Sequence, residues 1–431
     1  MKKIIFSAVT MYSHATLALV HCLILVLSIL SADSHAMPTA EAEHEDPITI
    51  NLQLTLREVL EKTFARSPQQ SVLQAMDGEV QARYIQASGV MPAVPAVSIR
   101  HQNDAIGSSR GEREWEAEVE LSVWLPGQRD ARKIVASDTQ AGLAAGREGL
   151  MLQIAGVLRD AVWDINMNKE NVVLFEARYK AAQQLEDDVN HRYKAGELAK
   201  TDLMLMQNET LQSEMLLLKA NAELKHAKHR YIVLTGFNEM PENVAESLSN
   251  LKELSDQHPL IKEVESKIEL AKGERNLVAT ERRDNPQLTL SARSQRGAFD
   301  NAYNDSVGIK VRIPFDGEVR NAPLLAAAES NIAKNVADRD RLKLTMQTMF
   351  HEAEHSLSVT NAEIKLVSKQ HQITQESLIL AKKAFSLGET DLVSLMRAQA
   401  LAYEAERAVA SKKIQLQWDI ARYNQAVGVL P

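Results

Sequence analysis

Two alternations stand out in a chain whose other apolar positions follow helical spacing. Trp115, Ala117, Val119, Leu121 and Val123 alternate with Glu116, Glu118, Glu120 and Ser122; farther on, Val307, Ile309, Val311 and Ile313 alternate with Gly308, Lys310 and Arg312. Period-two patterning of this kind predicts a strand with one apolar and one polar face. Extended segments beginning near Pro95 and Gln287 precede these strands, and loop residues at 103–111 and 297–305 connect each pair. The pattern therefore predicts β-hairpins at about 95–125 and 286–315. The polar face is acidic in one and basic in the other, so the two hairpins can lie side by side and offset each other's charge.

Helical periodicity accounts for the rest. Leu56, Val59, Leu60 and Phe64 form one stripe with Thr55 placed to cap it, and a second helix follows Pro68 to about Ser88. No proline interrupts Asp130–Tyr193 or Leu324–Phe385. Long helices are predicted at about 130–192 and 324–386, each reaching roughly 90 Å at 1.5 Å per residue. Such lengths point to coiled-coil, membrane or repeat packing. Val359, Leu366, Ile373 and Leu380 recur every seven residues, as do Met204, Leu211 and Leu218 on a returning helix. Returning helices are predicted at about 202–235 and 392–427, stopped by Gly236 and Gly428, with Thr201 or Asp391 able to cap their starts.

The chain states this plan twice. Tyr193, Gly196, Leu203 and Gln207 recur as Phe385, Gly388, Leu395 and Gln399 at a constant offset, and Arg230-Tyr231 recurs as Arg422-Tyr423. Pro126 and Pro314 close the second strand of each hairpin. Repetition with several anchors in order divides the chain into a first repeat at 53–240 and a second at 241–431. Residues 1–36 have the layout of a cleaved secretory signal, a basic start, an apolar run and Ser34-His-Ala36; Met11 is an alternative start. A spanning helix needs a longer apolar run. Residues 37–52 are acidic and aperiodic, a flexible leader.

Composition narrows the chemistry. The 431 residues are 25% charged and only 5% aromatic, which suits thin helical packing better than a thick globular core. The net charge of −8 becomes −9 once Lys2, Lys3 and Asp33 leave with the signal, which argues against nucleic acid. Cys22, the sole cysteine, lies in the apolar run, so the mature chain has no thiol, disulfide or haem attachment. His351-Glu352-Ala-Glu-His355 matches the zinc-protease pattern H-E-x-x-H. It falls inside a duplicated long helix with no separate domain to form a cleft, so no catalytic residue, cofactor or metal site is assigned. The methionines Met204, Met206 and Met215 are read as packing.

Four strands cannot close a barrel alone, but three copies would supply 12, with charged faces inward. The order helix, helix, hairpin, long helix, glycine turn, returning helix, stated twice, resembles the TolC family of outer-membrane efflux channels across nearly the whole mature chain. The resemblance implies a mainly α fold with a small β part: an internally duplicated protomer with long antiparallel helices and two hairpins. It further implies a homotrimer with a 12-stranded barrel in outer-membrane lipid, continued by an α-helical barrel in the periplasm. Its partners would be a periplasmic adaptor and an inner-membrane pump of the RND type. Glu116, Glu118, Glu120, Lys310 and Arg312 would then face the lumen. Tyr193, Gly196, Asp202, Phe385, Gly388, Glu389, Asp391, Ser394 and Arg397 would form the periplasmic turns and gate. In the family, acidic residues ring the pore where Ser394 and Arg397 stand here. The segment Val311-Arg-Ile-Pro314-Phe-Asp-Gly317 leans the resemblance toward the heavy-metal branch. The alternatives are drug or other small-molecule efflux, type I protein secretion, and a secreted coiled-coil scaffold.

Overall fold

The computed structural model describes residues 47–315 and 318–431. The signal segment, Cys22 and most of the acidic leader lie outside the described residues. Short strand β1 (Thr49–Asn51) precedes helices α1 (Leu56–Arg66) and α2 (Gln69–Ser88) and the hairpin β2 (Ala96–Asn103) and β3 (Arg113–Ser122). Long α3 (Gln128–Lys194) and returning α4 (Lys200–Thr235) complete the first repeat. The second comprises β4 (Glu239–Pro241), α5 (Pro259–Thr280), β5 (Gln287–Arg296), β6 (Asn304–Arg312), α6 (Glu318–Ser386) and α7 (Leu392–Ala426).

Several boundaries differ from the sequence expectation for identifiable reasons. β1 lies within the stretch expected to be flexible, because it pairs in parallel with β4, from Thr49 opposite Glu239 to Asn51 opposite Pro241. That partner is 190 residues away and leaves no local signal. α6 begins six residues before Leu324 and includes Pro323 in its second turn, where the missing amide gives up one backbone bond, to the Val319 carbonyl. α4 begins at Lys200, which places Thr201 inside the first turn rather than at the cap. At α1 the expected cap is present, with Thr55 Oγ1 accepting from the Glu58 amide and the Glu58 carboxylate accepting from the Thr55 amide.

The main core lies where both repeats meet. Leu56, Val59 and Leu60 of α1 pack with Leu158, Val162 and Trp163 of α3, Tyr231 of α4 and Ala421 of α7. The repeated tyrosines do the same work in each half: Tyr231 Oη donates to the Glu239 carbonyl at 2.8 Å, and Tyr423 Oη to the Leu251 carbonyl at 2.7 Å. Each ties a returning helix to the segment beside it. Burial pushes the Tyr231 phenol up to about 12, so it remains a donor at ordinary pH.

Arg159 joins the halves. Its guanidinium is 1% exposed, forms a bidentate pair with Glu246 at 2.7 and 2.6 Å, and donates to Gln425 and to the Val429 carbonyl. Asn424 donates to the same Glu246, so the buried charge is fully surrounded by hydrogen bonds.

The four long helices pack in the order α4, α3, α7, α6. The strands form one antiparallel sheet in the order β2, β3, β5, β6. Both layers therefore put a first-repeat element at one edge and a second-repeat element at the other.

Candidate functional site: the charged sheet face and the helix tips

Strand register decides which side chains share a face. Pairing sets Ala96, Glu120, Thr289 and Lys310 in one row; Ser98, Glu118, Ser291 and Gly308 in the next; then Arg100, Glu116, Arg293 and Ser306. Glu116, Glu118, Glu120, Lys310 and Arg312 thus occupy one face, and Glu114, Arg100 and Arg293 join them there. These three were not picked out from sequence, because only the cross-strand register puts them beside the alternating acids.

The charges on this face are matched. Arg100 bridges Glu114 and Glu116 at 3.0 Å each, Arg293 meets Glu114 at 2.8 Å, and Lys310 approaches Glu118 at 3.8 Å. The offset expected between an acidic and a basic hairpin is present, with Arg100 adding a cation from within the acidic hairpin itself.

The opposite face is an apolar band. Val97, Ile99, Trp115, Val119, Leu290, Val307, Ile309 and Val311 are all exposed on it. At one end of the band Trp115 stacks on His101 at 4.1 Å and Tyr303 lies under the Arg296 guanidinium, and Phe315, just after β6, is exposed. β3 spans ten residues, a suitable length for a tilted membrane strand. Among the described residues no helix is long and apolar enough to cross a membrane.

At the far end of the helices two turns lie together. Gly196 and Gly388 adopt φ of 82° and 75°. The Glu197 amide bonds back to the Arg192 carbonyl and the Glu389 amide to the Ala384 carbonyl, both at 2.9 Å. This is the six-to-one closure that requires a left-handed residue, hence glycine in both repeats. Val189, Met206, Leu378, Phe385, Leu392 and Leu395 cluster beneath, joining the tips of the two helix pairs. Phe385 is buried in that cluster, whereas its counterpart Tyr193 is half-exposed.

The acidic residues here serve first as caps. The Asp391 carboxylate accepts from the Ser394 amide at 2.8 Å, and hydrogen bonds from the Ser394 hydroxyl and amide hold its pKa below the usual carboxylate range. Asp202 accepts from the Ala199 amide at 3.2 Å. Glu389 and Arg397 are exposed.

A residue missed in sequence completes the tip. The Arg192 guanidinium lies 4.9 Å from the Phe385 ring centre and donates to the Phe385 and Ser386 carbonyls at 3.3 Å. A cation from the first repeat thereby satisfies the C-terminal carbonyls of α6. Ala384 occupies the repeat-equivalent position, so comparing the repeats would have flagged Arg192 as an unmatched cation.

An amphipathic sheet and long paired helices meeting at glycine turns are thus the two features that any functional reading has to use. Within the second repeat, residues 250–429 match the family described as "Outer membrane efflux protein". No curated protein matches the chain. Solved structures share its fold along most of its length. The outer membrane protein VceC from Vibrio cholerae superposes with a TM-score of 0.69 at 16% identity, covering 87% of this chain and 97% of that one. CusC gives 0.69 at 14%, covering 89% and 93%. A membrane protein from Pseudomonas aeruginosa gives 0.66 at 16%, covering 89% and 91%. The family match is thus confined to the second repeat, while the fold of nearly the whole described chain is shared with these membrane proteins.

Proposed function

We propose that three copies close head to tail into a 12-stranded barrel continued by a helical tunnel, and that this tunnel receives cargo from a periplasmic adaptor and an inner-membrane pump of the RND type. The observation that carries the reading is that both layers end in unlike, unpartnered edges: β2 and β6 in the sheet, α4 and α6 in the helices. The heptad residues Leu366, Ile373 and Leu380 on α6, and Met204, Leu211 and Leu218 on α4, are exposed in the single chain. Stripes of this length and spacing fit a helix of a second copy. Unlike edges generate a ring when the rotation closes.

The charged sheet face lines the lumen in this reading, and the apolar band meets lipid. Because its carboxylates are matched by guanidinium and ammonium groups, the lumen concentrates neither sign of ion. That supports small organic molecules, drugs among them, as cargo over the heavy-metal cations suggested by the sequence resemblance, and over secreted protein. The helix tips form the periplasmic gate. Opening separates the two pairs, breaking the Arg192 contact with α6 while the Gly196 and Gly388 turns move as units.

Bilayer recordings of the purified channel test the gate assignment. Replacing Asp202 and Asp391 together by Asn keeps both capping acceptors and removes two charges per copy, so the reversal potential in a salt gradient should shift toward lower cation preference. An unchanged reversal potential would remove these residues from the pore. Export of a panel of drugs and metal salts, with the pump retained and this chain deleted, tests the cargo: loss of metal export alone would overturn the small-molecule reading.

A further inference from the structure

The duplication supplies an internal template for the seam between copies. The helices nearest the sheet follow the order of the strands, α2, α3, α5, α6 beside β2, β3, β5, β6. Halfway along this row the link from β3 to α3 lies against the link from α5 to β5. Polar groups close that junction. The Val123 amide donates to the Pro286 carbonyl at 2.8 Å, Asn285 Nδ2 donates to the Val123 carbonyl at 2.9 Å, and Gln128, 1% exposed, donates to Glu281 at 2.8 Å. In a head-to-tail ring the equivalent links meet again at every seam, β6 to α6 of one copy against α2 to β2 of the next.

At the seam the side chains change character. Pro126 and Pro314 align the first kind of link, so Phe315 stands where the internal junction has Gly127. Pro286 and Pro95 align the second kind, so Val94 stands for Asn285 and Val90 for Glu281. Both sides of the contact thus become apolar together. All three side chains are open in the single chain, Phe315 at 81%, Val90 at 86% and Val94 at 88%. Ile85, Val90, Met91, Val94 and Pro95 surround an open hollow of about 370 Å³, and Trp124 fixes its rim by donating to the Val90 carbonyl at 3.0 Å. Apolar side chains gathered in the open mark a surface that another group covers.

We propose that Phe315 of one copy seats in the hollow formed by Ile85, Val90 and Val94 of the next, an apolar anchor at the collar where barrel meets tunnel. This rests on the head-to-tail trimer proposed above. The occupant follows from the repeat. Inside the chain the corresponding place is filled by a link of the other repeat, and in a ring that neighbour comes from a second copy. An aromatic side chain in a desolvated pocket is the kind of contact that dominates an interface. The collar lies at the opposite end of the helices from the tips, so it holds the ring together while the gate moves.

The test uses the intact detergent-solubilised channel, weighed first by native mass spectrometry; the mass of one chain would sink the ring reading itself. In a Cys22→Ser background, Val94→Cys combined with Phe315→Cys should be joined into covalent dimers and trimers by oxidation or by a short bis-methanethiosulfonate reagent. An intact trimer in which this pair does not cross-link overturns the inference. Phe315→Ala should shorten the lifetime of the trimer at least about tenfold. Val90→Ser added to it should cost little more, because the two side chains share one contact; fully additive losses would separate them. Both positions are exposed in a single chain, so neither change disturbs its fold. If Phe315→Ala leaves the trimer lifetime unchanged, phospholipid or solvent fills the hollow and the proposal fails.

Discussion

The two long helices α3 and α6 are counterparts in a duplicated plan and nearly equal in length, 67 and 69 residues, yet they occupy different environments. α3 is flanked by α1, α2, α4, α5 and α7, whereas α6 packs on α5 and α7. Leu152, Ala155, Leu158 and Val162 of α3 are fully buried, while Leu344, Leu366, Ile373 and Leu380 of α6 are exposed. Similar sequence patterning thus serves two purposes. On α3 the apolar positions make the core of one chain; on α6 they stay exposed on the single chain, where the proposed ring would use them for contact with a second copy. The inner helix should govern whether a single chain folds, and the edge helix whether copies assemble.

Arg159→Ala should give the largest effect, because it leaves Glu246 as an uncompensated buried charge. A loss of about 3–5 kcal/mol is expected, read as a collapse of the thermal melt or failure to recover folded channel. Retention of the wild-type melting temperature would show that the two halves are joined by other means.

The comparison between the helices is sharpened by a matched pair. Leu158→Ala should cost about 2–5 kcal/mol through the cavity it opens in the inner helix. Leu366→Ala, 71% exposed in the single chain, should leave the stability of one chain within about 0.5 kcal/mol yet reduce the fraction of trimer surviving in detergent. Equal effects on both measurements would erase the distinction between core and edge.

Gly388→Val tests the tip turn of the edge pair. A β-carbon there meets open space, so the cost is confined to the left-handed backbone, about 1–2 kcal/mol. Altered closed-state conductance or weaker adaptor capture is expected, with the helices otherwise intact.

The smallest effect concerns α5, which lies between the compared helices. His258 is 3% exposed and its Nδ1 accepts from the Leu260 amide, capping α5. Burial lowers its pKa below the unfolded value near 6.5. The neutral form is therefore favoured in the folded chain: this stability is complete above about pH 6.5 and declines as pH falls from there toward the folded pKa. Melting temperatures taken from pH 7.5 to 5 should show the decline, and His258→Asn, which keeps a capping acceptor, should flatten it.

Much of this organisation was legible in one dimension. Alternation at Trp115–Val123 and Val307–Ile313 located two strands, because a pleated chain alternates its faces with period two. The repeated glycines located both turns, because a left-handed residue that closes a helix tolerates little else. Arg192 was not found, since nothing near it in sequence announces that it will meet α6 after a chain reversal. Thr201 is not the cap, because α4 starts at Lys200 and the cap residue is Ala199, whose amide donates to Asp202; that starting point depends on the tip turn rather than on Thr201.

By itself the sequence determined the elements, their order, their duplication and the two-faced character of the sheet, all of which depend on side chains a few positions apart. Tertiary structure alone decided that β1 pairs with β4, that Glu114 is held between Arg100 and Arg293, and that the heptads of α4 and α6 stay outside the core. Those outcomes depend on which element lies beside which. That neighbour relation is set by packing energy summed over distant segments and is written in no local pattern.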